Sequence, residues 1–310
     1  MIQKKEFPPF PEALEPELER LCRVLENPEA FDVADPYWPK WQAVWWPLAF
    51  LLETGQLSRL SQAVFERFAT LIDQHYLHHF PQLESELPAG CDPYRQIICH
   101  CALGTAIQIV QAGGLDPWRI WPWLSEWFSH YQLPDGGYNC DEQVYTHSQR
   151  ASLVSTLPML EALLLKPERN AQEETLLKKG LDSLLRRKLY QSSQGAVIDP
   201  LWLQPLFPRF YHYDLLRALK FVLRWHQQQA APLPLEVLEP ALVHLRAETG
   251  CPTPQSWYPG QDKTLALNAE GAWKFGAPVT LFPLLAAFLE GGYAQAWIAW
   301  EWQEVERLLG

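Results

Sequence analysis

The sequence has few basic residues, few cysteines and no long apolar run, and each shortage argues against one class of protein. Lysine and arginine number 25 against 36 aspartates and glutamates, which gives a formal charge of −11. Nucleic-acid binding depends on a basic face that neutralises phosphates, so no nucleic-acid partner is expected. The same negative charge opposes attraction to anionic membrane surfaces.

The apolar segments are too short for a membrane-spanning protein. None approaches the roughly 18–20 residues that span a bilayer, and the longest, residues 45–52, contains Pro47. Residues 1–5 lack the apolar stretch of a signal peptide. Six cysteines in 310 residues are too few for a disulfide framework, and a reducing compartment would keep them as thiols. A cytoplasmic protein without a transmembrane segment is predicted, and peripheral membrane contact stays open.

Sequence motifs of common enzyme classes are also missing. The chain has no P-loop, GxGxxG, GxSxG or HExxH motif, so nucleotide binding and serine hydrolysis have no support. What it does have is 15 tryptophans and 27 prolines. The prolines should separate many short helices, since proline is excluded from helix interiors. The tryptophans suit a cavity wall as well as a core.

Helical periodicity bounded by proline or glycine recurs along the chain, and no strand pattern of useful length is found. Short breaks alternate with longer ones, which is typical of repeated antiparallel hairpins. The first helix of most pairs is apolar all round and the second is amphipathic, as in an inner ring of helices wrapped by an outer ring. The predicted helices span residues 11–26, 41–53, 58–79, 93–111, 117–131, 148–165, 171–190, 213–229, 235–248, 278–290 and 294–309.

These features predict one all-α domain over residues 1–310, an α/α toroid of about six helical hairpins, with an N-terminal outer helix within residues 1–30. In a closed ring of parallel inner helices, the segments that precede them meet at one rim. Those segments are rich in acids, cysteine, histidine, arginine and aromatic residues, so we place the candidate site there. They span residues 35–41, 91–95, 134–142, 207–214 and 273–277.

One rim segment resembles a known superfamily. Gln132-Leu-Pro-Asp-Gly136-Gly-Tyr138 is similar to the Gln-x3-Gly-x-Trp motif of squalene and oxidosqualene cyclases, with tyrosine for tryptophan. Its Gly-Gly-Tyr part also resembles a turn of protein prenyltransferase β subunits, and residues 131–165 and 207–219 resemble bacterial toroid proteins. The resemblance implies a terpenoid-cyclase-like or prenyltransferase-like enzyme with a small hydrophobic prenyl or terpenoid substrate. The superfamily also contains non-catalytic members.

Three aspartates are candidate catalytic acids. The chain lacks the Asp-x-Asp-Asp run of many class II terpene cyclases, but such a cyclase needs one carboxylic acid that burial keeps protonated. Asp141, Asp135 and Asp214 lie in rim segments. Asp135 is alternatively a turn residue and Asp214 a first-turn carboxylate at a helix N-terminus. Asp141 is the least explained by local structure.

Aromatic residues of the rim are candidate substrate-binding groups. Trp46, Tyr138, Tyr211 and Trp273 are expected to line the cavity, because aromatic faces attract carbocations and bind prenyl groups. Arg209 is expected to clamp an anionic group. Some of these rings will belong to the core instead, and the same interpretation extends to further aromatic residues such as Trp257.

Cys140, His100 and Asp92 are candidate ligands of a zinc ion. Zinc takes cysteine, histidine and carboxylate ligands, and the resemblance to protein prenyltransferases, which hold zinc through these types, implies the same cofactor. The positions of the zinc ligands in protein prenyltransferases have no match in this chain. The alternative is that Cys99 and Cys101, which would point apart on a helix, are small core residues.

Two further function classes stay open from the sequence. The first is a non-catalytic toroid that binds a peptide or small ligand in the same cavity. The second is a carbohydrate-active α/α barrel, which would need two rim carboxylates separated by roughly 5–10 Å.

Overall fold

The computed structural model describes residues 7–246, 252–254 and 263–310. Within them, the prediction of a mainly helical chain is confirmed. Trp257 and the predicted end of the helix at 235–248 lie outside the described residues. The α-helices are α1 (Glu15–Glu26), α2 (Trp45–Thr54), α3 (Gln62–His75), α4 (His100–Ala112), α5 (Pro117–Ile120), α6 (Leu124–Tyr131), α7 (Gln143–Thr146), α8 (Leu153–Leu165), α9 (Ala171–Arg186), α10 (Leu215–Gln228), α11 (Leu235–Leu245), α12 (Pro283–Glu290) and α13 (Ala294–Leu309).

Several helices begin later than the periodicity predicts, and local chemistry explains where. α2 cannot include Trp41, whose φ of 71° is left-handed. α4 begins only at His100: Asp92 caps a single turn through the N–H of Tyr94, but the chain is extended again at Cys99, with φ −63° and ψ 145°. The predicted helix at 117–131 is split into α5 and α6 at Trp121, which precedes a proline and so avoids the helical conformation.

The helices that are apolar on all sides form the centre of the protein. α2, α4 and α8 are almost wholly buried, whereas α1 and α9 bury one face. α4 packs against α2 and α8, and α10 packs against α8, α11 and α13. Phe50 of α2 contacts Phe282 and Phe288, so α12 reaches the same core. In the described part of the chain, no helix combines the length and the apolar character needed to cross a membrane.

The tightest helix contact joins α4 to α8, which run parallel. A Cβ on Gly104 of α4 would lie 2.4 Å from the carbonyl carbon of Pro158. One helical turn further, Gln108 Nε2 donates to the Pro158 carbonyl at 3.3 Å. Gln111 Nε2 donates to the Leu165 carbonyl at 2.6 Å, across a sequence separation of 54. The two helices therefore stay in register from their N-termini to their C-termini.

Two prolines lie inside helices, contrary to the expectation that prolines only separate them. Pro158 is in the middle of α8 and Pro240 is in α11. Pro158 lacks an N–H, but its carbonyl and backbone form the surface on which α4 packs. Packing between helices therefore outweighs the cost of a missing helical hydrogen bond at this position.

The structure also contains a β-hairpin that the sequence analysis did not predict. β1 (Lys263–Leu267) pairs antiparallel with β2 (Trp273–Pro278). The turn is held by Asn268, whose side chain accepts the N–H groups of Glu270 and Ala272. The hairpin is attached to the helical core because the Thr264 hydroxyl accepts the N–H of Lys40 at 2.7 Å.

We predict that Gly104→Ala destabilises the protein by about 3 kcal/mol, because the new methyl group would overlap the α8 backbone, which cannot move aside like a side chain. Gly90→Ala is the control. Gly90 has a φ of 82° but no neighbour within 4 Å, so only backbone strain of about 1 kcal/mol is expected. Urea unfolding of both variants measures the difference, and equal losses would contradict the proposed contact.

Candidate functional site

Three cysteine side chains from two separate segments meet at the N-terminus of α4. Cys99 is the N-cap residue, and Cys101 lies in the first turn. Cys140 comes from the segment before α7, and its Sγ is 3.7 Å from that of Cys101. Cys99 has an extended backbone, with φ −63° and ψ 145°, so it does not point away from Cys101 as a residue inside the helix would. Its thiol is close enough to the other two for both to act on its pKa.

The glycine turn before Cys140 has a packing role that explains its sequence. Gly136 has a φ of 93°, and a Cβ there would lie 2.2 Å from the Lys179 carbonyl oxygen of α9. Beyond the turn, the N–H of Tyr138 donates to the Thr156 hydroxyl at 2.9 Å. The N–H of Cys140 donates to the Ser155 hydroxyl at 3.1 Å. The segment is thus fastened to the start of α8, which presents Cys140 to the neighbouring helix α4.

The three thiols differ in pKa. Hydrogen bonding with Cys101 and Cys99, and then the interaction with His100, hold the pKa of Cys140 well below its usual value against the effect of burial. The same hydrogen bonds to Cys140 and Cys99, together with burial, raise the pKa of Cys101 well above its usual value. Cys140 is therefore the member of the cluster that carries negative charge most readily.

His100 lies beside the thiols in a shell of aromatic rings and is completely buried. Its ring centroid is 4.7 Å from that of Phe80 and 5.5 Å from that of Tyr138. Neither ring nitrogen has a partner of ordinary hydrogen-bond geometry in the described part of the chain, although the ring is close enough to the Cys140 thiol to interact with it and lower its pKa. A buried imidazole without partners carries a desolvation cost, so this position needs an explanation.

A second aromatic group adjoins the thiols, and its half-buried member Tyr37 was not singled out from the sequence. The Tyr37 ring lies 5.2 Å from Trp45 and 4.8 Å from Trp46. Burial and the neighbouring Tyr211, Cys101 and Cys99 raise the pKa of the Tyr37 phenol well above its usual value. Tyr37 therefore links the thiols to the tryptophans. Its place in the rim segment 35–41 was the available signal.

Tyr145 of α7 is a further neighbour of the thiols that the sequence analysis missed. Its ring centroid is 6.1 Å from that of His100. Its hydroxyl accepts the N–H of Asn139, next to Cys140, at 3.2 Å. The sequence carried no signal for Tyr145, because the short helix α7 was not predicted.

Each predicted catalytic acid already has a local partner. Asp141 is exposed, and its carboxylate accepts the N–H of Gln143 at 3.0 Å. One oxygen of Asp135 is 3.0 Å from both the N–H of Ala151 and the guanidinium of Arg187. Both therefore fix turns and loops in this structure.

Asp214 is completely buried at the N-terminus of α10. Its carboxylate accepts the N–H of Arg217 at 2.8 Å and that of Leu206 at 3.0 Å, and it forms an ion pair with Arg209. These contacts match a capping carboxylate that also balances a buried guanidinium.

The predicted substrate-binding residues divide into buried and accessible ones. Trp46 and Tyr138 are completely buried, and Tyr138 donates its hydroxyl hydrogen to the Phe128 carbonyl. Arg209 is also buried, and besides Asp214 it binds Glu301 at 2.7 Å. Tyr211 is half-buried at the edge of the tryptophans, with its ring 6.0 Å from Trp46.

Trp273 and Asp92 lie in other surroundings. Trp273 is on β2, where the Arg95 guanidinium lies 4.1 Å above its ring. The Asp92 carboxylate accepts a hydrogen bond within its own turn and is 3.9 Å from Arg95. Of the three predicted zinc ligands, the structure thus brings together His100 and Cys140. In residues 7–246, 252–254 and 263–310, no group of three or more histidine, cysteine, aspartate or glutamate side chains is already arranged to hold a metal ion.

A buried charged network occupies the space between the central helices. Glu161 of α8 pairs with Arg217 of α10 at 2.6 Å. Glu53, at the end of α2, accepts the N–H groups of Arg209 and Phe210. The sequence analysis missed both acids. The available signal was a single glutamate in a helix that is otherwise apolar all round. Further members of the network are Asp214, Lys220 and Glu301.

Glu53 titrates in an unusual range. Burial raises the pKa of Glu53 to about 7, against the lowering effects of Arg217 and of the two N–H groups. With Glu53 protonated, Glu161, Asp214 and Glu301 balance Arg209, Arg217 and Lys220. The network is then neutral, which favours its burial.

Comparison with known proteins identifies no relative of this chain. No family model matches it, and neither the curated proteins nor the solved structures contain a match. Any function must therefore be argued from the chemistry of the site.

We predict that Glu53 makes the folded state less stable as the pH rises. Its folded pKa of about 7 exceeds the ordinary 4.5. Protonated Glu53 therefore stabilises the folded state. This stabilisation is complete below about pH 4.5 and is lost as the pH rises through 7. The expected change is roughly 2 kcal/mol, less than the whole shift implies, because the residue is only part-buried.

Urea unfolding at pH 5 and pH 8 measures this contribution. The free energy of unfolding should fall less between the two values in Glu53→Gln than in the wild type. Glu66→Gln, at an exposed position of α3, should keep the wild-type pH dependence. An unchanged pH dependence in Glu53→Gln would contradict the assignment.

Proposed function

We propose that this chain is an α/α-toroid enzyme of the prenyltransferase-like kind, which acts on a small isoprenoid molecule beside the thiol cluster of Cys99, Cys101 and Cys140. The observation that carries the proposal is the convergence of these three thiols, from two segments, next to buried His100 and two groups of aromatic rings. Reactive polar groups that adjoin apolar surface are typical of small-molecule sites.

The helix contacts support the toroidal part of the proposal. α4 and α8 are parallel and in register, and each has a further central helix on its other side, α2 and α10 respectively. Phe50 of α2 also contacts α12. Parallel neighbours of this kind are what an inner ring of helices requires.

A prenyltransferase-like activity is favoured over an acid-initiated cyclase. Cyclisation of that kind needs a buried acid that is free to give its proton to the substrate. Asp141 is exposed, Asp135 binds Arg187 and Asp214 binds Arg209. Burial does raise the pKa of Glu53, but both of its carboxylate oxygens accept backbone N–H groups, those of Arg209 and Phe210. The same ion pairs leave a carbohydrate-active enzyme, which needs two available carboxylates, without support.

The substrate would lie against the half-buried rings of Tyr37, which lies near the thiols, and of Tyr211, which lies near Tyr37. Their ring edges offer apolar area to an isoprenoid chain, and their faces would stabilise positive charge at its reacting carbon. Trp45 and Trp46 lie directly behind these rings and hold them in place.

A non-catalytic toroid that binds a small ligand is the second candidate. Trp46 and Tyr138, which would line a deep cavity, are completely buried among other side chains. A ligand would then bind at the surface beside Tyr37 and Tyr211, without being enclosed and shielded from water. Catalysis by carbocation chemistry needs such shielding.

We predict that the protein binds farnesyl diphosphate and farnesol, and that Tyr37→Ala or Tyr211→Ala weakens this binding about tenfold, or about 1.4 kcal/mol, because apolar contact area is lost. Isothermal titration calorimetry measures the affinity. Tyr293→Ala is the matched control, since this half-buried tyrosine packs on Phe288. Absence of farnesyl binding, or equal loss in all three variants, would refute the proposal.

Release of diphosphate separates the two candidates. A prenyl transfer breaks the carbon–oxygen bond of farnesyl diphosphate, and diphosphate leaves as the acceptor takes the prenyl group. Release that depends on a thiol acceptor would support the enzyme. Binding of farnesyl diphosphate without release, over a panel of thiol and amine acceptors, would support the non-catalytic toroid.

A further inference from the structure

We infer that Cys99, Cys101, Cys140 and His100 form a tetrahedral Zn²⁺ site. The inference concerns the same part of the molecule as the proposed function, but it rests on ligand chemistry alone and does not require an isoprenoid substrate. Three sulfur ligands and one imidazole are a common zinc set, and soft thiolates favour zinc over magnesium or calcium.

The spacing of two thiols is the first observation. The Sγ atoms of Cys101 and Cys140 are 3.7 Å apart. Two thiolates on one zinc ion, each at about 2.3 Å, are separated by about 3.8 Å in a tetrahedral site. A disulfide needs about 2.05 Å instead. The observed separation therefore fits two ligands of one metal ion better than a covalent pair.

The backbone at the start of α4 adds the third thiol. Two cysteines separated by one residue point apart within a helix. Here Cys99 is the N-cap with extended backbone, and only Cys101 is helical. The Cys99 thiol consequently reaches both Cys101 and Cys140. Cys99 is exposed as a residue, although its thiol lies within the cluster.

His100 supplies the fourth donor. It is completely buried, it interacts with the Cys140 thiol, and neither ring nitrogen has a partner of ordinary hydrogen-bond geometry in the described residues. A metal ion would take up one of these nitrogens and so remove an uncompensated buried polar atom. The surrounding rings of Phe80, Tyr138 and Tyr145 restrict the orientation of the imidazole.

Cys101 and Cys140 have the separation of two zinc ligands, but no group of three or more histidine, cysteine, aspartate or glutamate side chains among the described residues has the arrangement of a metal site. Binding would therefore require the Cys99 and His100 side chains to rotate toward this pair. The thiols would lose their protons on coordination, so that protons are released to the buffer as zinc binds. The exposed side of Cys99 is where such movement is easiest.

The test uses the full chain, purified without a chelating tag or column. We expect about one zinc per chain by elemental analysis. Cobalt substitution should give an absorption band from sulfur-to-metal charge transfer together with tetrahedral d–d bands. Cys101→Ser, Cys140→Ser and His100→Gln should each lose at least tenfold in zinc affinity. Cys22→Ser and Cys91→Ser, whose cysteines lie elsewhere, should retain wild-type affinity.

Folding must be separated from metal binding. Cys99→Ser is the variant for this purpose, because Cys99 is exposed at the helix end and serine is a good N-cap. It should stay folded by circular dichroism and still bind zinc more weakly. Wild-type protein without zinc affinity, or cobalt spectra without sulfur bands, would each overturn the inference.

The two proposals fail independently. If the cysteine and histidine variants lose zinc but still bind farnesyl diphosphate, the metal site is supported and its role is structural. Farnesyl binding by a protein that never takes up zinc would overturn the metal site and leave the proposed function standing.

Discussion

The in-register contact between α4 and α8 is the constraint on which the rest of the site depends. Because a glycine at position 104 lets the α4 backbone approach Pro158, the first turns of the two helices lie side by side. Ser155 at the start of α8 holds the N–H of Cys140, and Cys101 occupies the equivalent turn of α4. A wider or shifted helix pair would separate the two thiols, so that the local chemistry follows from backbone packing.

A second constraint is the buried charge between the central helices. Arg209 and Arg217 come from one short stretch, and they meet carboxylates from α2, α8 and α13. Breaking such a pair leaves an uncompensated charge, which costs more than the pair itself contributes. The network therefore gives the packing of these helices a specificity that apolar side chains alone do not provide. It also explains why Arg209, predicted to bind a substrate anion, is already engaged.

The sequence predicted the helices well where hydrophobic periodicity agrees with the positions of proline and glycine at helix ends. α13 was predicted with its observed limits, and the division into all-apolar and amphipathic helices matches the observed burial. The prediction from sequence failed where one residue interrupts a helical pattern, as at Trp121. It also failed where the strands are short, as in β1 and β2. Pro158 shows the opposite failure, since tertiary packing retains a proline that local propensity rejects.

The positions of the predicted site residues could be anticipated only in part. His100 and Cys140 were chosen by residue type and are found together, whereas Asp92 was chosen on the same grounds and stays in its own turn. The extended N-cap at Cys99 decides whether its thiol joins the cluster, and this depends on backbone conformation. Carboxylates such as Asp135 and Asp141 cannot be assigned from sequence for the same reason. Their hydrogen-bond partners are backbone groups whose positions the chain fold sets.

The register of α4 and α8 also limits how this protein can change over evolutionary time. Two of the three thiols lie at the start of α4, a fixed distance from Gly104, and the third is held by Ser155, one helical turn before Pro158 in α8. A one-residue insertion between Cys101 and Gly104 would turn Cys99 and Cys101 about 100° around the helix axis, away from Cys140. Insertions in the connection between α5 and α6 do not change the rotation of α4 about its axis. Insertions and deletions in descendants of this chain should therefore occur in the connections between helices and not in the first turns of α4 and α8.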